Sequence, residues 1–462
     1  MRIPQPPPRF QELAAKLRGD RMDAILEAAP AAWPRDRYLH WDDLRRHPGP
    51  KGLTHEEWWF MLKLGRMGKL RPIPLRDRNA RPFVFSLPDS LLELLHGIDR
   101  GLGSAWTLPA AVTDPAARDT YLVSTLIQEA ITSSQLEGAA TTRNIAKEMI
   151  RTGRPPRNRS ERMILNNYLT MQRIRDLRGE ALTPELVFEL HRRVTEGTLD
   201  GPAAAGRFRR ADENIRVIDE IDGTVFHDPP AAAELPARIA AMCEFANGRT
   251  PGFFLHPVIR GILLHFWLAY DHPFVDGNGR TARALFYWLM LHQGLELFEF
   301  ISISQILLQA PVRYATAFLH AETDENDLTY FLLHQADVIT RAVKALHDYA
   351  RRKIALLQST ETHLQRIEGV NHRQLALLAH ALRKPDTRYT IAGHRQSHNV
   401  VYQTARTDLL GLADRGFLTV SKVGHALVFR AAPDLPGKLE SSAQDPPGPA
   451  DQTLPLRLSP AP

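Results

Sequence analysis

The sequence predicts a mainly α protein, and three observations carry that reading. Residues 119–136 place Leu122, Leu126, Ile127, Ala130 and Ile131 on one helical face, and residues 257–269 are apolar nearly all round, as a buried core helix would be. Alternation of period two is confined to short runs, at 224–227, 417–420 and 426–429. A chain of 462 residues is too long for one ordinary domain, so the helical core is expected to be joined by further domains.

Composition narrows the setting. The single cysteine, Cys243, excludes an internal disulfide framework and suits a reducing compartment. The first residues, Met-Arg-Ile-Pro-Gln-Pro-Pro-Pro, form no apolar signal region, and no uninterrupted apolar run reaches the ~18 residues of a membrane span. A soluble, cytoplasmic protein is the expectation.

Residues 1–110 read as a small N-terminal helical domain. Trp33, Trp41, Trp58 and Trp59 cluster there among interleaved charges such as Trp41-Asp42-Asp43-Leu44-Arg45-Arg46. A core that braces the following domain explains them better than a partner-binding face. The next domain is expected over 111–345. It opens with the helix at 119–136, which Gly138 stops. A helix ending at Leu190-His191-Arg192, a turn at Ala205-Gly206-Arg207-Phe208-Arg209, and a strand at 224–227 broken by Asp228-Pro229-Pro230 follow. His256 and His265 flank the helix at 257–269, but spacings of nine and seven fit no usual metal-ligand pair with His272. Further helices are expected at 298–305, 311–321 and 327–342.

The segment His272-Pro273-Phe274-Val275-Asp276-Gly277-Asn278-Gly279-Arg280-Thr281-Ala282-Arg283 carries the chemistry. Gly277, Asn278 and Gly279 let a backbone approach an anion closely. The helix that begins there turns its first amides toward the same loop, which favours phosphate. Asp276 can hold a magnesium ion on phosphate oxygens, and His272 can act as general base. Arg280 and Arg283 lie three apart on the helix and can both reach one polyphosphate.

This segment resembles the signature of the Fic family, His-x-Phe-x-Asp/Glu-Gly-Asn-Gly-Arg-x-x-Arg, without departure. The resemblance implies transfer of AMP from ATP to a protein hydroxyl, with His272 as base, Asp276 as Mg²⁺ ligand, Gly277, Asn278 and Gly279 as anion cradle, and Arg280 and Arg283 on the β- and γ-phosphates. Phe274 is then a core anchor. Relatives acting as kinases resemble this motif but carry lysine where Gly279 stands, which favours adenylylation here. Ser133-Ser134-Gln135-Leu136-Glu137-Gly138 resembles the family's inhibitory motif, Ser/Thr-x-x-x-Glu-Gly/Asn, so the helix over 119–138 implies autoinhibition. Glu137 would pair with Arg283, with Ser133 as the motif's hydroxyl. Removal of AMP, which the same glutamate supports in some relatives, stays open. The resemblance also implies a target-docking flap at Val225, Phe226 and His227, and a tyrosine near the adenine, for which Tyr314 is the candidate.

The C-terminal region adds a second theme. Helices at 372–383, 389–394 and 399–413 precede a hairpin, and Leu409-Leu410-Gly411-Leu412-Ala413-Asp414-Arg415-Gly416-Phe417-Leu418 resembles a winged helix-turn-helix. Residues 346–364 read as a connecting helix, 365–432 as the winged domain and 433–462 as a disordered tail. Ten Lys/Arg against four Asp/Glu over 363–430 make a modest footprint for DNA phosphates. Gln396, Ser397, His398, Asn399, Gln403 and Arg406 sit where base edges would be read. The sequence thus predicts an autoinhibited adenylyltransferase acting on a target protein, with self-modification left open. The competing reading is a DNA-binding regulator that uses the same core as a nucleotide sensor. The connecting helix leaves a homodimer open.

Overall fold

The computed structural model describes residues 2–17, 20–32, 37–103, 115–219, 222–365, 369–383, 387–423 and 426–442. It is mainly helical, with three small antiparallel sheets among the described residues. The chain divides into two compact units, Met1–Asp348 and Tyr349–Pro462. Residues 1–110 and 111–345, expected as two domains, therefore share one unit.

Pro257–Asp271 is the central helix of the first unit. Proline at its first turn suits a position whose N–H has no intrahelical partner, and the His256 ring accepts from the Val258 N–H at 3.3 Å. Val258, Ile262, Leu263, Phe266 and Trp267 are all buried, and only Pro257 and Ala269 are partly exposed. It packs on Asn278–His292, and Pro115–Gln135, Arg159–Asp176, Pro184–Thr195 and Leu235–Ala246 complete the surrounding layer. The helix ends at His272, whose left-handed conformation (φ 44°) turns the chain into the signature loop.

Sequence periodicity misses one sheet. Arg71–Arg76 and Pro82–Phe85 pair antiparallel ahead of the main helical core. Pro72, Pro74 and Pro82 disguise the strands, yet in a two-stranded ribbon every proline can turn its missing donor outward. The apolar residues Ile73, Leu75, Phe83 and Phe85 join the main core, where Phe83 lies 4.8 Å from the Tyr270 ring and 5.4 Å from Phe266. Before this hairpin, Trp41, Trp58 and Trp59 are buried in a small helical core closed by a Thr54–Glu57 capping box. Trp33 lies outside the described residues. No described helix is long and apolar enough to cross a membrane.

The helix expected over 327–342 and the connecting helix over 346–364 are one helix, Thr329–Gln365. The second unit runs helix (His372–Arg383), strand (Tyr389–Thr390), two helices (Ile391–His398 and Tyr402–Asp414), then the hairpin of Leu418–Val423 and Ala426–Ala431. The last strand is central in its sheet, pairing with both others. Asp408, buried, accepts from Asn371, Arg373 and His394 and so ties the three helices together. The tail expected to be disordered from 433 begins instead with the helix Leu435–Ser442, whose Leu435 and Leu439 fill this core. Two leucines four apart make an amphipathic turn that Pro/Ser/Gly composition obscures. Residues 443–462 lie outside the described residues.

Candidate active site

The signature loop is built by its own side chains. Asn278 donates from its amide to the Phe274 carbonyl at 2.8 Å and accepts from the Phe274 N–H at 3.0 Å, closing the loop into a ring. Phe274 is fully buried and stacks on His191 with centroids 3.7 Å apart. Gly277 sits at φ 81°, where a Cβ would also meet Thr195 at 2.6 Å. Beyond it the helix Asn278–His292 begins without a side-chain cap, so its first amides stay available to an anion.

His272 faces a cleft of about 220 Å³ that is also lined by Glu137, Asn278, Gly279, Arg283, Phe226, His227 and Tyr314. Its Nδ1 lies 3.3 Å from the Ala269 carbonyl. A carbonyl only accepts, so Nδ1 carries the hydrogen and Nε2 the lone pair. Burial foremost, then the His227 cation, pushes the imidazole down to about 4, against the pull of Ala269 and Glu137. At neutral pH it is an unprotonated base.

Glu137 and Arg283 meet across the cleft. Arg283, buried, donates to the Glu137 carboxylate at 2.9 Å. Its Nε donates to the Ser133 hydroxyl at 2.8 Å and its Nη2 to the Ser133 carbonyl at 2.9 Å. Burial works against the charge, but Glu137 and Tyr314 outweigh it and raise the pKa. A Cβ on Gly279 would collide with the Glu137 carboxylate, and its Cδ lies 2.9 Å from that position. The inhibitory-motif glutamate thus lies directly over the glycine of the cradle.

Other expected residues are distributed differently. Arg280 is buried beside the cleft, donating to the Val194 carbonyl at 2.9 Å and to Asp276 at 3.4 Å. Both bonds leave it bracing the loop. Asp276 also accepts from the Gly277 N–H at 2.5 Å, and its other oxygen stands 3.5 Å from the exposed Arg159. With 37% of its side chain exposed, that carboxylate fits the protein's usual small share of a Mg²⁺ site, phosphates and water completing the shell. Among the described residues no cluster of three His, Cys, Asp or Glu has metal-holding geometry. Tyr314 lines the cleft, its hydroxyl 2.7 Å from His265. In the flap, Val225 is exposed and pairs with Ile218, while Phe226 lines the cleft. The His227 side chain is buried at the cleft wall, its ring nitrogens taken up by Glu322 and the Tyr270 carbonyl. In the second unit, Gln396, Ser397, Asn399, Gln403 and Arg406 are exposed and His398 is half-buried. A second hollow of about 510 Å³ over Glu189, Arg192 and Glu196 does not include His272.

The comparisons with known proteins fall on this same region. A family model described as "Fic/DOC family" matches residues 181–290. Residues 181–290 are a Fic/DOC family domain. The protein adenylyltransferase Fic of Nematostella vectensis is 35% identical over 117 residues, covering 25% of each chain. That of Aedes aegypti is 27% identical over 166 residues, 36% of this chain and 29% of the relative. The match therefore spans between a quarter and a third of these relatives' length. A crystal structure of a Fic family protein from Desulfovibrio desulfuricans superposes with a TM-score of 0.52 at 18% identity, over 76% of this chain and 98% of that one. That likeness concerns the fold.

Sequence reasoning passed over several residues that hold the Fic site together. His191 accepts from the Gly206 N–H at 2.9 Å and donates from Nε2 to the Asp276 carbonyl at 2.9 Å. Burial pushes it down to about 4, so it serves as a neutral bridge. Arg209 donates to the His272 carbonyl at 2.8 Å, and its own N–H to the Pro273 carbonyl at 2.8 Å. Both residues stood inside recognised segments. His191 also falls on the apolar stripe of Leu186, Val187, Leu190 and Val194, which marks it as inward-facing.

Proposed function

We propose that this chain is an autoinhibited protein adenylyltransferase. It transfers AMP from ATP to a hydroxyl side chain of a target protein, itself included. The observation that carries the reading is a neutral His272 with a free Nε2 in the same cleft as an uncapped glycine-rich helix start and a buried arginine. The target oxygen attacks the α-phosphate, the bond to the β-phosphate oxygen breaks, and pyrophosphate leaves. The hydroxyl proton passes to His272 Nε2. Gly277, Asn278 and Gly279 cradle the phosphate, the uncapped helix-start amides after Gly277 donating to its oxygens, and Arg283 neutralises the terminal phosphates. Bound at Asp276, Mg²⁺ would offset negative charge on the departing pyrophosphate.

Inhibition follows from Glu137. Its carboxylate takes one Arg283 donor and covers Gly279, where phosphate oxygens would lie. The test is incubation with α-labelled ATP and Mg²⁺. Label should appear strongly in Glu137→Gly and vanish in Glu137→Gly with His272→Ala. Label that persists without His272 rejects the base assignment.

DNA binding by the second unit is a separate reading. It is favoured by the exposure of Gln396, Ser397, Asn399, Gln403 and Arg406 at the junction of two short helices. Retention on duplex DNA that falls with salt, with Arg406→Ala reducing the salt slope by about 1, supports it. Salt-independent behaviour removes it.

A further inference from the structure

Of the three flap residues, only His227 has a buried side chain. Its Nδ1 lies 2.7 Å from the Glu322 carboxylate and its Nε2 lies 2.7 Å from the Tyr270 carbonyl. A carbonyl can only accept, and a carboxylate accepts when ionised, so both ring nitrogens donate and the ring is an imidazolium. Glu322 stands on the helix Pro311–Thr323, the element that also supplies Tyr314 to the cleft. Tyr270 is two residues before His272 on the central helix. One side chain therefore joins three walls of the cleft.

We propose that His227 and Glu322 are positioning residues for the transfer, the pair fastening the flap to the Pro311–Thr323 helix and holding a fixed positive charge beside His272. The proposal rests on the adenylyltransferase reading for its consequence, but its physical content is independent of turnover. The strand Val225–His227 makes only two pairings with its partner strand, so the hairpin gains little rigidity from its own ladder. The anchor at its end supplies what the ladder lacks. The charge acts on His272 by disfavouring a second cation nearby, which keeps the base unprotonated. Facing His227 are Glu322 from the Pro311–Thr323 helix, Asp228 from its own hairpin, and Tyr270, Asp271 and His272 from the central helix. Burial opposes the His227 charge, and Glu322, the Tyr270 carbonyl and Asp228 outweigh it.

Histidine ring resonances of the full chain, followed by NMR through a pH titration, test this without any substrate. In wild type His227 should keep its proton to higher pH than an unperturbed histidine, and His272 should lose its proton at lower pH. Glu322→Gln retains a hydrogen-bonding partner but removes the charge that sustains the imidazolium. In that variant His227 should titrate earlier and the His272 titration should move upward. His227→Gln should move His272 in the same direction, and guards against one variant failing to fold. A wild-type His227 that deprotonates below an ordinary histidine overturns the proposal, as does a His272 titration unmoved in a folded variant. Failure to label protein with AMP would instead count against the transferase reading alone.

Discussion

Replacing Glu137 by glycine should raise affinity for the complete nucleotide and leave affinity for AMP unchanged. The Glu137 contact to Arg283 is a single charge-assisted hydrogen bond at 2.9 Å, and the carboxylate remains partly open to water, with 24% of the side chain exposed. Bonds of this kind contribute about 1.5–3 kcal/mol. A nucleotide whose phosphates need the same guanidinium must displace it, so removal should tighten binding by about 10- to 100-fold. Arg283 does not collapse when Glu137 is lost, because Ser133 still holds it through the hydroxyl and the carbonyl. AMP lacks the terminal phosphates and has no claim on Arg283. Calorimetric titration of wild type and Glu137→Gly, with Mg²⁺ and a non-transferable ATP analogue and then with AMP, separates the cases. Equal analogue affinity, within about two-fold, would refute the displacement argument. Equal gains for analogue and AMP would show that Glu137 blocks the whole cleft.

Other expectations follow from the same geometry. Asn278→Ala leaves both backbone groups of Phe274 unpaired in a buried loop, at about 1–3 kcal/mol each, and should lower the urea midpoint of the first unit without altering the second. His191→Phe keeps the stack on Phe274 but loses two hydrogen bonds; analogue affinity should fall together with stability, and an unchanged urea midpoint would count against its bridging role. In Glu137→Gly the labelling rate should stay level from about pH 5.5 to 7.5, since His272 is held down to about 4, whereas a break near 6.5 would mean an unperturbed base. Stability carries a related signature. His40 and His265 are pushed down to about 3, and His191, His272 and His334 to about 4, in each case chiefly by burial. Folded values below the unfolded one give stability that is complete above about pH 6.5 and is lost as pH falls toward 4 and 3. Every tryptophan precedes residue 349, so fluorescence-monitored urea unfolding at pH 7 and pH 5 reads the first unit; equal stability at both would contradict these buried neutral rings.

The site was legible in the sequence where local spacing fixes geometry. A glycine-rich turn entering a helix cannot be far from its own first amides, and Ser133 and Glu137, four residues apart, present neighbouring groups to one arginine. Long-range pairing was not legible. Nothing in the spacing of Arg280 says that Val194, 86 residues earlier, will take its hydrogen bond, and so its role could not be separated from that of Arg283. His227 was assigned by position in the flap, but its direction depends on Glu322, 95 residues later. Of the fold, the long apolar helices could be read and the proline-masked strands could not, because strand identity at 71–85 comes from packing against Phe266 and Tyr270. The helix Leu435–Ser442 was hidden for the same reason, its composition saying tail while two leucines complete a core.

Phe83 and Phe85 have a consequence for inheritance. Both join the main core from outside residues 181–290, and Phe83 packs on Phe266 and Tyr270 in the turn of chain that ends in His272. Cutting the gene between residues 110 and 181 would hand the recipient a signature loop whose supporting aromatic residues, Phe266 and Tyr270, have lost the Phe83 ring. Recombination keeps the Asp408 ties intact when it moves the second unit, since all of them lie inside that unit. It cannot exchange the signature segment alone, because the Arg71–Phe85 ribbon has to travel with it.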